Sequence, residues 1–470
     1  MKFREALKII EGLRFIADEL PLMSALGRSC LMDSEFITDI STLKEEYRHL
    51  ALSMQLLSDP KTKVIVSELQ HLLMQARDIR TTARRLADAA TLDDVELFEI
   101  KGLALLSKEI KPLLAKTGLS AISRLEMSDL GKVFDTLDPE KTGNAHFHIY
   151  DAYSEKLAEK RKQLKRMQAA ESHDADETDR ILAECMALEE EVRKAISKTL
   201  YPYASSLADA LEAIGNTDLL LAKAMFAGEW LLAIPSLADN HISYSSLRYL
   251  PAVNQLKNVN KEFQPIDIFL ANGVTLITGA NMGGKTITLK SLALAQMMTQ
   301  FVLGIPAERG EVSPVESIAL SIGDRQSAGE GLSSFGAEIL AIDHILSRAM
   351  EGERMLVLID EPARTTNPEE GKAIVCALIE MLDKTSSISV LTTHYSNIDS
   401  TCTRLKVKGL RDSVDTDIRN LRPGALIDFM DYSLISDINA DVDREALRIA
   451  RLLGVSKNFS DSIENNLIKK

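Results

Sequence analysis

The chain has 470 residues, more than one compact core holds, so several domains are expected. Its composition, 45% apolar and 26% charged, suits a soluble globular protein, and no apolar run reaches the ~20 residues of a membrane span. A net charge of −14 weighs against a surface that grips DNA throughout, while leaving room for a local basic patch.

Met1-Lys2-Phe3-Arg4-Glu5 alternates charged and apolar residues like a helix and carries no signal-peptide core. Cys30, Cys185, Cys376 and Cys402 lie far apart, and none forms a C-x-x-C pair. Reduced thiols and a cytoplasmic location are therefore expected.

Residues 1–120 read as all-helical. Ala6, Leu7, Ile9, Ile10, Leu13, Ile16 and Ala17 recur at helical spacing. Leu50, Leu52, Leu56 and Leu57 mark a second segment, and Leu69, Leu72, Leu73 and Ala76 a third. A fourth opens at Leu92. Proline and glycine are sparse, which favours long helices over many turns. The pattern breaks at a turn cluster, Asp138-Pro139-Glu140-Lys141-Thr142-Gly143-Asn144. Ala145-His146-Phe147-His148-Ile149-Tyr150 then alternates and predicts a short strand. His146 and His148 share one face of it, but no third metal ligand is placed.

Residues 151–200 read as a helical hairpin. Leu157 and Leu164 mark one arm, while Ile181, Cys185, Leu188, Val192 and Ala195 form a heptad-like seam on the other. Arms of about 20 residues would project roughly 30 Å. Lys160, Arg161, Lys162, Lys165 and Arg166 cluster on the first arm, either as a solvated face or as a patch for a phosphate backbone. Between the arms, Glu171, Asp174, Asp176, Glu177 and Asp179 make an acidic tip, which is the wrong sign for DNA. Residues 201–235 return as helix, and 240–273 contain short strands.

Val274 to Ile277 is an apolar β-type run. It feeds Gly279-Ala280-Asn281-Met282-Gly283-Gly284-Lys285-Thr286, a full G-x-x-x-x-G-K-[ST], and a helical pattern starts at Lys285. Strand, loop and helix together make the P-loop reading specific. The glycines let N–H groups converge on phosphate oxygens, and the helix start adds its positive end. Lys285 would pair with the β- and γ-phosphates of ATP, and Thr286 would offer its hydroxyl to Mg²⁺.

Further on, Ser333 and Ser334 open a helix after glycines, a second anion-binding pattern. One subunit seldom uses two such sites on one triphosphate, so the pair is expected to cap the nucleotide of a second copy. Met355-Leu356-Val357-Leu358-Ile359-Asp360-Glu361 is an apolar strand ending in two carboxylates, the Walker B pattern. Asp360 would hold Mg²⁺ and Glu361 would polarise the attacking water. Ser389-Val390-Leu391-Thr392-Thr393-His394-Tyr395 is another strand, ending in a histidine suited to sense the γ-phosphate. Glu445–Gly454 is an amphipathic helix stopped by glycine.

The P-loop spelling, Ser333-Ser334-Phe335, Asp360-Glu361 and Thr393-His394-Tyr395 together resemble the MutS family of ABC-type ATPases. Ile322-Gly323-Asp324-Arg325-Gln326-Ser327 and Asn367-Pro368-Glu369-Glu370-Gly371 resemble its MutS-II branch more than its mismatch-recognition branch. The resemblance implies a multidomain protein in which an all-α part precedes an α/β ATPase domain. Residues 1–150 would be helical core and lever, 151–200 a shortened clamp, and 201–250 a return helix and linker. Residues 251–430 would be the P-loop ATPase domain and 431–470 a short helical dimerisation segment. The resemblance also implies ATP hydrolysis with Mg²⁺ in a homodimer joined through the ATPase domains. Lys285, Glu361 and His394 would be catalytic. Phe263 sits where the family stacks an aromatic on adenine, or else it is a core residue at a strand start.

Departures from the family are expected to matter. Mismatch-reading, connector and Smr nuclease-like domains are not found in this sequence. Phe3-Arg4-Glu5 spells the mismatch-reading tripeptide without its domain and reads as coincidence. Pro362-Ala363-Arg364-Thr365-Thr366 replaces a glycine-rich loop, and Asp431 stands where a related segment carries histidine. Two clients stay open. One is branched or duplex DNA. The other is a protein, because small MutS-like proteins also resemble reactivating partners of B12-dependent aminomutases.

Overall fold

The computed structural model describes residues 1–169, 175–279, 284–322, 334–395, 398, 401–411, 428–437 and 445–468. The chain forms two compact units. One comprises Met1–Glu19, Glu35–Arg48 and Ala227–Lys470; the other comprises Leu20–Ser34 and His49–Phe226. No helix among the described residues is long and apolar enough to cross a membrane.

The first eleven helices are α1 (Phe3–Ala6), α2 (Glu11–Glu19), α3 (Ala25–Asp33), α4 (Ile40–Ser58), α5 (Pro60–Leu73), α6 (Arg80–Ala87), α7 (Asp94–Thr117), α8 (Gly131–Leu137), α9 (Glu155–Gln168), α10 (Ala175–Leu200) and α11 (Ala204–Glu229). Their boundaries follow local chemistry. Asp93 and Glu96 cap α7 reciprocally, each side chain accepting the other's amide at 2.8 and 2.9 Å. Gly118, at φ 75°, ends the same helix in the left-handed region.

In the helical unit, Leu97, Ile100, Ala104, Ile110 and Leu114 of α7 share one core with Leu69 and Leu73 of α5 and Val133 and Leu137 of α8. Into this core the chain places a charge. Lys101 is fully buried, its Nζ 3.0 Å from Asp138 Oδ1, and it donates to the His146 carbonyl at 2.7 Å. Asp138 also accepts from the Thr142 hydroxyl at 2.7 Å and the Gly143 amide at 2.8 Å.

That knot explains why the strand expected at 145–150 does not form. Phe147, Ile149 and Tyr150 are buried, but the segment is held to Lys101 rather than to a strand partner. His148 lies against the Tyr150 ring, with centroids 4.0 Å apart.

The hairpin of α9 and α10 is present, with a seam one residue different from the expected one. Ile181, Cys185 and Val192 are buried as expected, and Ile196 is buried where Ala195 is exposed. Ile196, four residues after Val192 and so on the same helix face, fills the seam with a larger side chain than Ala195 could. The basic cluster is partly neutralised within the hairpin: Lys160 pairs with Glu184 at 2.5 Å, and Arg161 with Asp151 and Glu189 at 2.7 Å each. Glu171 and Asp174 of the acidic tip fall outside the described residues.

The other unit is α/β. After β1 (Ser236–Leu237), β2 (His241–Leu247), α12 (Leu250–Lys257) and β3 (Ile266–Ala271) come β4 (Gly273–Thr278), α13 (Lys285–Gln300), β5 (Arg309–Val312) and β6 (Ser317–Ser321). The chain continues through α14 (Ser334–Met350), β7 (Met355–Ile359), α15 (Pro368–Leu382), β8 (Ile388–Thr392), β9 (Thr403–Leu410), β10 (Met430–Ser436), α16 (Glu445–Leu452) and α17 (Lys457–Ile468). One sheet has the order β1-β5-β2-β3; the larger has the order β10-β9-β4-β8-β7-β6. In the larger sheet all pairings are parallel except β10 with β9. Strands β7 and β8 are buried at every position, which is why they read as unbroken apolar runs.

Two boundaries differ from the sequence-based expectation. Residues 1–19 and 35–48 belong to the α/β unit, where the sequence reading gave them to the helical part. The cause is aromatic packing around the end of α13. Phe3 and Phe36 meet Phe301 edge-on, at 5.0 and 5.6 Å, and the Tyr47 hydroxyl donates to the Thr299 carbonyl at 2.8 Å. The large sheet also runs past residue 430, because β10 completes it; the segment after it does carry the expected helix, α16.

Candidate nucleotide-binding site

The sheet order sets β4 beside β8 and β8 beside β7, all parallel, so the carboxyl ends of these strands gather along one edge. Open α/β sheets bind ligands outside the carboxyl ends of such strands. Lys285 and Thr286 open α13 just after β4, Asp360 and Glu361 follow β7, and His394 follows β8.

The contacts among these residues are close. Lys285 Nζ lies 2.9 Å from Glu361 Oε1 and donates to the Gly279 carbonyl at 2.6 Å. Its side chain is only 4% exposed, which strengthens any pairing with an anion. The Thr286 hydroxyl donates to Asp360 Oδ2 at 2.6 Å. Thr392, at the end of β8, donates to Asp360 Oδ1 at 2.6 Å and accepts the Glu361 amide at 2.9 Å. One threonine thus orients both acids. Sequence reasoning missed it; the available signal was a hydroxyl ending a strand otherwise too apolar to need one.

His394 Nδ1 and an Arg364 guanidinium nitrogen each lie 3.8 Å from Glu361 Oε2. Burial lowers the His394 pKa below its ordinary value; Glu361 opposes this, and Lys285 and Arg364 add to the lowering. The shift favours the neutral form of the imidazole. In that form it can accept or donate a hydrogen bond without adding a charge.

The backbone is shaped for close approach. Gly279 and Gly284 have φ of 132° and 82°, conformations that glycine adopts freely. A Cβ on Gly284 would come 2.8 Å from the Tyr432 ring. Beside Gly284 is a cavity of about 850 Å³ lined by Phe263, Gln264, Leu256, Lys285, Thr286, Met430 and Tyr432 among others. Its size and its mixture of aromatic and polar walls suit a nucleotide. Phe263, expected beside adenine, is on this wall. Tyr432 and Gln264 are there too and were not anticipated.

Gln264 fixes the far side of the cavity: its amide donates to Asp431 Oδ1 at 2.8 Å and accepts from the Tyr432 amide at 3.2 Å. Burial alone would raise the Asp431 pKa, but the Ser433 hydroxyl and amide, Gln264 and Lys408 outweigh it and hold the carboxyl below the usual range. Asp431 is thus an anion fixed by neighbours.

The Thr286 hydroxyl and Asp360 carboxylate, in contact, are hard oxygen donors of the kind Mg²⁺ prefers, and two protein donors leave room for water and phosphate oxygens. The residues present fit that ion. Ala280, Asn281, Met282, Gly283 and Ser333 lie outside the described residues, as does the side chain of Ser334; α14 begins at Ser334.

A buried lysine, a threonine hydroxyl and paired acids at neighbouring parallel strand ends define the construction of an α/β nucleotide-binding domain. Residues 275–422 match the family described as MutS domain V. The chain is 32% identical over 294 residues to Endonuclease MutS2 of Caldanaerobacter subterraneus, covering 62% of this chain and 33% of that protein. To Endonuclease MutS2 of Pediococcus pentosaceus it is 32% identical over 321 residues, covering 67% and 38%. To that of Levilactobacillus brevis it is 35% identical over 237 residues, covering 50% and 28%. Each match thus spans less than two-fifths of the relative's length. The chain belongs to the MutS family.

Proposed function

We propose that the chain is a MutS-type ATPase that binds and hydrolyses ATP at the edge of the large sheet and converts the cycle into motion. The observation that carries this reading is the double contact between α13 and the end of β7: Thr286 with Asp360 at 2.6 Å, and Lys285 with Glu361 at 2.9 Å. Lys285 and the amides of residues 279–286 bind the phosphates, with Phe263 against the base. Thr286 and Asp360 hold Mg²⁺, which when bound supplies charge neutralisation at the phosphate oxygens. Glu361 orients the attacking water and takes its proton. His394, biased toward its neutral form and close to Glu361, donates to the γ-phosphate. Ser333 and Ser334 cap the nucleotide of a second copy, so ATP holds a homodimer together. The protein works in the cytoplasm.

The client is DNA in the first reading, supported by relatives named as endonucleases. The second reading is a protein-remodelling ATPase. It is favoured by the internal pairing of Lys160 and Arg161, which leaves less of the α9 cluster for phosphates. Steady-state ATP hydrolysis with and without duplex and branched DNA, at low and physiological salt, separates them. Stimulation that fades steeply with salt supports the DNA client. A rate indifferent to every DNA tested moves the client to protein, to be captured on ATP-trapped Glu361→Gln.

A further inference from the structure

The segment after β7 is strained and braced. Glu361 and Ala363, neither of them glycine, have φ of 47° and 61°. Side chains rarely adopt such conformations unless neighbours impose them. The imposing contacts come from β8, from α14 and from the segment just after β8. Thr392 of β8 receives the Glu361 amide at 2.9 Å. Glu338 of α14 accepts the Ala363 amide at 3.2 Å. The Tyr395 hydroxyl donates to the Ala363 carbonyl at 3.0 Å.

Tyr395 does more than close this turn. Its ring lies 4.3 Å, centroid to centroid, from that of His394, its neighbour in the chain. Its own amide donates to the Thr393 hydroxyl at 3.0 Å. It also packs on α15 so closely that a Cβ added to Gly371 would overlap its hydroxyl. Burial raises the Tyr395 pKa, with Glu338 and Glu361 adding to the effect, so the phenol keeps the proton it donates.

We propose that Tyr395 is a positioning residue for hydrolysis: its hydroxyl braces the left-handed turn at Ala363 and so fixes Glu361, while its ring fixes His394. This rests on the ATPase reading above. Tyr395 itself touches neither reactant; it acts through the two side chains that do. The Gly371 position belongs to the same device, because only a residue without Cβ leaves the hydroxyl its place.

The test compares Tyr395→Phe and Gly371→Ala with the wild-type chain in ATP turnover, nucleotide binding and amide exchange over residues 361–367. Tyr395→Phe should lower kcat about threefold to tenfold, the scale of one lost hydrogen bond, with the Kd for ATP unchanged and faster exchange in that segment. Gly371→Ala should show the same split by displacing the ring. The two together should cost less than the product of the single effects, since both strike one contact. Wild-type kcat in Tyr395→Phe overturns the proposal, as does unchanged exchange at 361–367. A loss of ATP affinity matching the loss of kcat also overturns it, because it would mark a merely structural residue. Failure of the ATPase reading is recognised separately, by absence of turnover in the wild-type chain, and it removes the catalytic role while exchange still reports whether the brace exists.

Discussion

Among the described residues, a buried lysine–carboxylate pair stands in each unit, Lys101–Asp138 and Lys285–Glu361, and the two are built to opposite ends. Lys101 and Asp138 are 0% and 3% exposed, and polar neighbours satisfy the pair: the His146 carbonyl and the Tyr150 hydroxyl take the ammonium, and Thr142 and Gly143 fill the carboxylate. Lys285 and Glu361 are 4% and 11% exposed and sit at the same separation within 0.1 Å. Around them, however, are a strained turn, a cavity, a histidine biased toward its neutral form and a second acid held by hydroxyls. Burial and distance do not separate a structural ion pair from a functional one; the saturation of its surroundings does. A saturated pair holds a loop, whereas a pair beside a cavity can trade its partner for a ligand.

Lys285→Ala should weaken ATP binding by roughly 100-fold or more, since it removes the buried cation of a charge-assisted contact. It should cost less stability than Lys101→Met, because Glu361 keeps Arg364 and His394 at 3.8 Å and a cavity lies beside the lysine. Titration with a fluorescent ATP analogue and a thermal melt read the two arms. Lys101→Met should do the reverse. Leaving Asp138 buried without its cation should cost the helical unit about 3–5 kcal/mol, with ATP affinity unaltered. If Lys101→Met instead abolishes binding in a folded protein, the two sites are not separable in this way.

A smaller effect follows from acid. Burial tends to raise the Asp138 pKa, but the Gly143 amide, the Thr142 hydroxyl and Lys101 outweigh it and hold the carboxyl well below the usual range. A depressed carboxylate contributes stability that is complete above its unfolded pKa of about 4 and is lost as pH falls toward the folded value. Urea melts from pH 7 down to pH 3 should therefore show a falling limb only at the acid end, and Asp138→Asn should flatten it.

Much of the α/β unit was legible because parallel strands buried on both faces write themselves as apolar runs. Val274–Ile277, Met355–Ile359 and Ser389–Thr392 could be placed, and glycine and lysine chemistry set the start of α13 at Lys285. The residues that complete the site were less visible. Thr392, Gln264, Tyr395 and Tyr432 act across contacts far apart in sequence, and a lone hydroxyl or aromatic carries no spacing that points to its partner. The helical unit was legible in outline only. Alternation at 145–150 mimicked a strand because Phe147 and Ile149 face a core, while the backbone is held by Lys101, which sits in α7 and nowhere near in sequence. The division of residues 1–48 between units was hidden for the same reason, since it depends on Phe301 and Thr299 at the far end of α13.

The central claim is that the edge joining α13, β7 and β8 hydrolyses ATP with Glu361 as its base. Single-turnover ATP hydrolysis by the wild-type chain and by Glu361→Gln, alongside ATP binding to each, tests it most directly. The account predicts turnover in the wild-type chain and a loss of roughly 100-fold or more in the variant, with binding retained. Equal turnover in the two would contradict it.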